Sequence, residues 1–163
     1  FNLISQEQRR SILSALLGVE LDDCYEISST NTRHFESTID NFTQPDLLFE
    51  GLKSMVYVEM KVGAKSNCEQ LLKYLVLHLL YEEKTENTKS PYLLFLGTQD
   101  LQKFFQEKVD TIEELKDRLR TYVVPDKLRR GKLDVSLYLE DLRYLSIPNR
   151  GKKTLFIFTN SVE

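Results

Sequence analysis

Asp46-Leu-Leu-Phe-Glu50, Gly51-Leu-Lys-Ser54 and Met55-Val-Tyr-Val-Glu-Met-Lys-Val62 lie end to end in the first half of the chain. The outer two are apolar-rich runs of strand length, and the Gly-containing piece between them has the composition of a hairpin turn. With a turn of two or four residues, paired positions sum to 105, which sets Asp46 opposite Glu59, Leu48 opposite Tyr57 and Glu50 opposite Met55. A three-residue loop would break that arithmetic. Alternate side chains of a strand share a face, so one face reads Leu47, Phe49, Val56, Val58, Met60 and Val62, and the other gathers Asp46, Glu59 and Lys61.

An apolar face backed by a polar one is how any half-buried strand pair looks. Two details argue for more. Directly opposed like charges destabilise a strand pair. The helical stretch that follows, from about Cys68 to Glu83 with Asn67 to cap it, is apolar nearly all round, which predicts that helix and sheet cover one another. Two covered carboxylates either take up a proton or hold a cation. Hard oxygen ligands with room for water and phosphate suit Mg²⁺ or Mn²⁺.

Working outward, Ser5-Gln-Glu-Gln8 has the form of a capping box, followed by Ile12, Leu13, Leu16 and Leu17 at helical spacing and a stop at Gly18. Residues 25–42 are polar, with a strand expected at Tyr25–Ser28 or Phe35–Ile39. Pro91 opens Tyr92-Leu-Leu-Phe-Leu96, an unbroken apolar run ended by Gly97, as in a strand buried on both faces. Asp100–Val109 and Ile112–Tyr122 read as helices, 126–145 as ambiguous with helix from Leu137, and Thr154–Phe158 as a last strand. Helix, strands, helix, strand, helices, strand describes a three-layer α/β domain.

At 163 residues the chain has the length of one domain, long enough to bury roughly 70% of its unfolded surface without metal or disulfide staples. Hydrophobic residues at 41% and charged residues at 29% exclude a low-complexity or disordered chain. The longest apolar stretch, Leu75–Tyr81, is broken by His78 and falls far short of the roughly 18 residues a span requires, so no membrane partner is expected. No signal peptide is visible. Cys24 and Cys68, without a paired histidine or a CxxC, read as reduced thiols, so a cytoplasmic location is expected. A chain that opens on Phe1 fits one domain of a larger protein or assembly.

The net charge of -3 conceals a division. Residues 1–115 carry 11 Lys and Arg against 19 Asp and Glu, whereas residues 116–153 carry 11 against 5. Lys127, Arg129, Arg130 and Lys132 cluster, as do Arg150, Lys152 and Lys153. Such clusters are either a solvated basic surface or a contact surface for a phosphate backbone.

Taken together, Pro45-Asp46, Glu59-Met60-Lys61 and the helix residues Gln70 and Tyr74 resemble the PD-(D/E)xK nuclease superfamily, in particular its RecB-type branch with a QxxxY helix motif. The phrase Val58-Glu-Met-Lys-Val-Gly-Ala-Lys65 followed by Glu69-Gln-Leu-Leu-Lys-Tyr74 carries the likeness, which spans about residues 45–97 with twelve residues between the two acids. The resemblance implies a restriction-endonuclease-like core, a mixed central sheet flanked by helices in the order αβββαβ, here with a C-terminal helix and strand extension. It implies metal-dependent hydrolysis of phosphodiesters in nucleic acid, with DNA ahead of RNA as substrate.

On that reading Asp46, Glu59 and the backbone carbonyl of Met60 hold Mg²⁺ or Mn²⁺, Lys61 orients water or offsets charge, and Gln70 and Tyr74 brace the site or touch the nucleic-acid backbone. A further acid upstream is implied. Glu36 is the first choice, with Glu7, Glu20 and Glu26 as alternatives, and some viral members of the fold use an upstream histidine, for which His34 is available. Dimerisation is common in proteins with this fold. The competing expectations are a non-catalytic nucleic-acid-binding or protein-interaction module on the same fold, an RNA endonuclease, and an unrelated α/β interaction domain. His78, one further turn along the Gln70–Tyr74 stripe, reads as a histidine satisfied within the core.

Overall fold

A computed structural model describes residues 4–21, 25–28, 43–61, 63–85, 89–97, 101–121, 143–146 and 154–159. Its ordered elements are α1 (Gln6–Leu17), β1 (Glu26–Ser28), β2 (Leu47–Glu50), β3 (Ser54–Lys61), α2 (Gln70–Thr85), β4 (Ser90–Gly97), α3 (Leu101–Phe104), α4 (Ile112–Arg120), β5 (Arg143–Ser146) and β6 (Thr154–Thr159). Through β4 the order is the expected α-β-β-β-α-β. The strands make one mixed sheet in the order β1-β2-β3-β4-β6-β5. Among the described strands only β3 and β4 run parallel, with α2 as the crossover between them, as a parallel connection requires.

The hairpin register follows the parity argument. Leu47 pairs with Val58, Leu48 with Tyr57, Phe49 with Val56 and Glu50 with Met55. The Gly51 N–H donates to the Ser54 carbonyl at 2.9 Å, leaving Leu52 and Lys53 as a two-residue turn. Alternation then divides the core. Phe49, Val56, Val58 and Leu94 pack with Leu13 and Leu17 of α1 on one face. Leu48, Met55, Tyr57, Leu93 and Phe95 pack on the other with α2, Phe104 and Phe105, and Leu115 and Leu119 of α4. The nearly all-round apolar character of α2 is explained: it shares one cluster with the sheet and with the segment 104–119.

Local chemistry sets the ends of these elements. In α1 the Gln8 N–H donates to Ser5 Oγ at 3.2 Å and the Ser5 N–H to Gln8 Oε1 at 2.9 Å, and Gly18 closes the helix at φ 68°, where a glycine is unstrained. Asn67 Oδ1 accepts the Glu69 N–H at 2.7 Å, so α2 begins at Gln70 after one tight turn.

Two expectations are corrected. The helix expected over Asp100–Val109 lasts only from Leu101 to Phe104. Phe105 then makes a parallel bridge to Ser66, with hydrogen bonds of 2.8 Å from the Ser66 N–H to the Phe104 carbonyl and from the Gln106 N–H to the Ser66 carbonyl. Both phenylalanines are buried, and leaving the helix lets consecutive rings enter one core. The helix expected from Leu137 does not reach residue 145, because Arg143–Ser146 is strand β5, drawn into the sheet by β6 with Tyr144 opposite Phe156 and Leu145 opposite Leu155; residues 137–142 lie outside the described residues. Met60, on the apolar face by parity, is nonetheless 45% exposed. No helix among the described residues is long and apolar enough to cross a membrane.

Candidate functional site

The two acids come together where β2 begins and β3 ends. One position beyond the Leu47–Val58 pair, Asp46 lies across from Glu59, and its Oδ2 accepts the Met60 N–H at 2.6 Å. A strand residue turns its N–H and C=O toward the same edge, so the Met60 carbonyl faces the Asp46 side of β3 as well. Asp46 is exposed, while Glu59 is buried. The expectation of two covered carboxylates therefore holds for one of them: β2 starts after Asp46, and the chain entering it leaves that side chain to solvent.

Glu59 is on the face that α2 covers, and both of its oxygens are engaged. Oε1 pairs with Lys61 Nζ at 2.6 Å. Oε2 accepts the Tyr74 hydroxyl at 2.5 Å. Lys61 is two residues along the strand and so on the same face, with 27% of its side chain exposed. Gln70 and Tyr74 stand one helical turn apart, and Gln70 Nε2 donates to Tyr74 Oη at 3.2 Å and to Thr43 Oγ1 at 2.9 Å. The Tyr74 hydroxyl has one proton and two acceptors, Glu59 Oε2 and the Gln44 carbonyl at 3.1 Å; the shorter, charge-assisted bond takes it. Burial foremost, and then the bond to Glu59, push the Tyr74 pKa well above its ordinary value, so this hydroxyl is a donor and not a proton source at neutral pH.

Asp46, Glu59, Lys61, Gln70 and Tyr74 thus converge, with the Met60 backbone beside them. Thr43, which sequence reasoning missed, completes the group by tying the segment ahead of Asp46 to α2 through Gln70. Nothing local in Thr43-Gln44 signals that role, which depends on a helix 27 residues away. Among the described residues no cluster of three or more His, Cys, Asp or Glu side chains is arranged to hold a metal. Glu7 and Glu20 are exposed and, among the described residues, make no bond to Asp46 or Glu59. Glu26 pairs in register with Glu50 at the turn end of the hairpin, away from the site. Glu36, His34, Lys127, Arg129, Arg130, Lys132, Arg150, Lys152 and Lys153 lie outside the described residues.

The chain matches no family model, no curated protein and no solved structure. Its donor set, a buried carboxylate, an exposed carboxylate across the strand pair and a carbonyl turned toward the same edge, is all oxygen. Such a set fits a hard divalent cation such as Mg²⁺ or Mn²⁺.

Further along α2, His78 is fully buried and satisfied. Its Nε2 donates to the Lys89 carbonyl at 2.8 Å and is 3.2 Å from Glu82 Oε1, and its Nδ1 is 3.0 Å from the Tyr57 hydroxyl. Lys89, also buried, donates through Nζ to Glu50 Oε1 at 2.8 Å and to the Gly51 carbonyl at 2.7 Å, and its N–H reaches Glu82 Oε1 at 2.9 Å.

Proposed function

We propose that this domain is a Mg²⁺- or Mn²⁺-dependent nuclease of the PD-(D/E)xK kind, hydrolysing phosphodiester bonds of nucleic acid, with DNA ahead of RNA as substrate, on a restriction-endonuclease-like core. One observation carries the reading. Two separate sequence signals, the Glu59-Met60-Lys61 strand end and the Gln70–Tyr74 helix pair, meet on the single carboxylate of Glu59. A chance match of short motifs has no reason to bring them within hydrogen-bonding distance.

Asp46, Glu59 and the Met60 carbonyl would hold the metal. When bound, the metal supplies a Lewis acid for the scissile phosphate and a water of lowered pKa. Tyr74 fixes the Glu59 carboxylate by donating to Oε2. Gln70 holds Tyr74 and, through Thr43, the chain that delivers Asp46. Lys61 supplies a positive charge beside the developing charge on phosphate. The basic clusters at 127–132 and 150–153 would contact the nucleic-acid backbone, and their affinity would fall with salt.

A non-catalytic module on the same fold is the second reading. It is favoured by the engagement of both Glu59 oxygens within the chain.

Cleavage of labelled single- and double-stranded DNA and RNA in Mg²⁺, Mn²⁺ or EDTA, beside Lys61→Ala, tests the proposal. Metal-dependent cutting that disappears in the variant is expected. Absence of cutting by the wild type on every substrate, with no heat on metal titration, would overturn it; metal binding without cutting would favour the second reading.

A further inference from the structure

We infer that Lys61 is the counter-ion of Glu59, and that a divalent cation held there would displace its ammonium from Oε1. The inference rests on the metal site proposed above. Glu59 is 5% exposed, and a carboxylate that far from water is costly without a cation or donors at both oxygens. Oε2 is committed to Tyr74 at 2.5 Å, and Tyr74 is itself held by Gln70. Oε1 has Lys61 Nζ at 2.6 Å and no other partner among the described residues.

A cation held by Asp46 and Glu59 would draw on Oε1, because Oε2 is taken by the buried tyrosine. Lysine and metal are then alternative occupants of the same oxygen. Lys61 can yield, since a quarter of its side chain already meets solvent and its long flexible stem carries the charge outward. Tyr74 cannot, being buried between α2 and the sheet.

The exchange has a functional consequence. Paired with Glu59, the ammonium is unavailable to a substrate phosphate. A cation held by the carboxylates would free the lysine, adding its positive charge beside a substrate phosphate. Lys61 would then act on phosphate only after its release from Glu59.

Two readouts independent of cutting test this. Calorimetric Mg²⁺ and Mn²⁺ titrations compare the wild type, Lys61→Met and Lys65→Met, the last removing a charge from the exposed Lys65 nearby. Lys61→Met is expected to bind about tenfold more tightly and Lys65→Met within about twofold of the wild type, the direct contact outweighing a screened surface charge. In parallel, the Lys61 side-chain ammonium resonance, observable while it is hydrogen-bonded to Glu59, is expected to shift and gain mobility on saturation with Mg²⁺. Metal binding with an unchanged ammonium resonance, or with no gain in Lys61→Met over Lys65→Met, overturns the inference and leaves the nuclease proposal standing. Absence of metal binding in all three folded proteins overturns both.

Discussion

Gln70, Tyr74, His78 and Glu82 follow one another at four-residue intervals along a single stripe of α2, yet the two halves of that stripe serve different clusters. At the first half, Gln70 and Tyr74 meet Glu59, with exposed Asp46 and partly exposed Lys61 beside it. At the second, His78 and Glu82 meet Lys89, which reaches on to Glu50 and the Gly51 carbonyl. Tyr57 stands between them, its ring 6.5 Å from Tyr74 and 5.7 Å from His78. Both clusters contain two acids and a lysine on adjoining elements. They differ in access and in what the lysine holds.

Lys89 is sealed in and bonded through its N–H, carbonyl and ammonium, so it fastens the hairpin turn to the crossover helix. Lys61 makes one bond to a side chain and keeps a route to water. The same residue types therefore make a fastening where backbone groups absorb the charges, and a site where an acid is left facing solvent. Composition cannot separate the two; burial and backbone bonding do.

Four experiments would break or sharpen that contrast. Replacing Glu59 with Gln should act almost wholly on chemistry, abolishing metal binding in calorimetry and slowing cutting about 1000-fold, as expected when a metal worth several kcal/mol to the transition state is lost. Replacing Lys89 with Met should do the reverse, lowering unfolding free energy by about 3 kcal/mol in urea because Glu50 and the Gly51 carbonyl lose a buried partner, with metal affinity unchanged. A Lys89 variant as stable as the wild type would erase the distinction.

Tyr74→Phe sits at the join and should cost about 2 kcal/mol of stability from one charge-assisted bond, together with weaker metal binding because the Glu59 carboxylate is no longer held. Glu82 gives the smallest effect. Burial alone would raise its pKa, but the hydrogen bond and charge of His78 and the Lys89 N–H outweigh it and hold the carboxyl below its ordinary range. A depressed pKa contributes stability that is present above the unfolded value and lost as pH falls through the folded one. The stability gap between wild type and Glu82→Gln, followed by urea denaturation from neutral pH downward, should close in the acid range below the ordinary glutamate value. A gap that stays constant would show that Glu82 acts by shape alone.

Much of the fold was legible because local chemistry and periodicity agreed. The capping box of α1, the parity of the hairpin, the apolar run of β4 and the final strand β6 each follow from short-range rules that the packing did not override. Those same rules brought Asp46, Glu59, Lys61, Gln70 and Tyr74 to one place, because strand alternation and the helical repeat both preserve which residues share a face. Where the sequence reading failed, a distant partner decided the outcome. The helix over 100–109 stops because Phe104 and Phe105 both enter the core, and 143–146 is strand because β6 offers an edge. Thr43 and Lys89 were invisible for the same reason, since their roles are assigned across 27 and 39 positions. Glu82 could have been suspected from its spacing to His78, a four-residue step on one helix face.

Gly97 ends β4 directly beside Lys61 in the parallel pairing, and a Cβ at that position would fall within the Phe104 ring. The ring of α3 thus occupies the space that a side chain at 97 would otherwise claim. The two positions form a single choice shared between distant letters of the sequence. Among descendants of this chain, alanine or anything larger at 97 should be tolerated only where 104 has shrunk, so the pair should drift together or not at all.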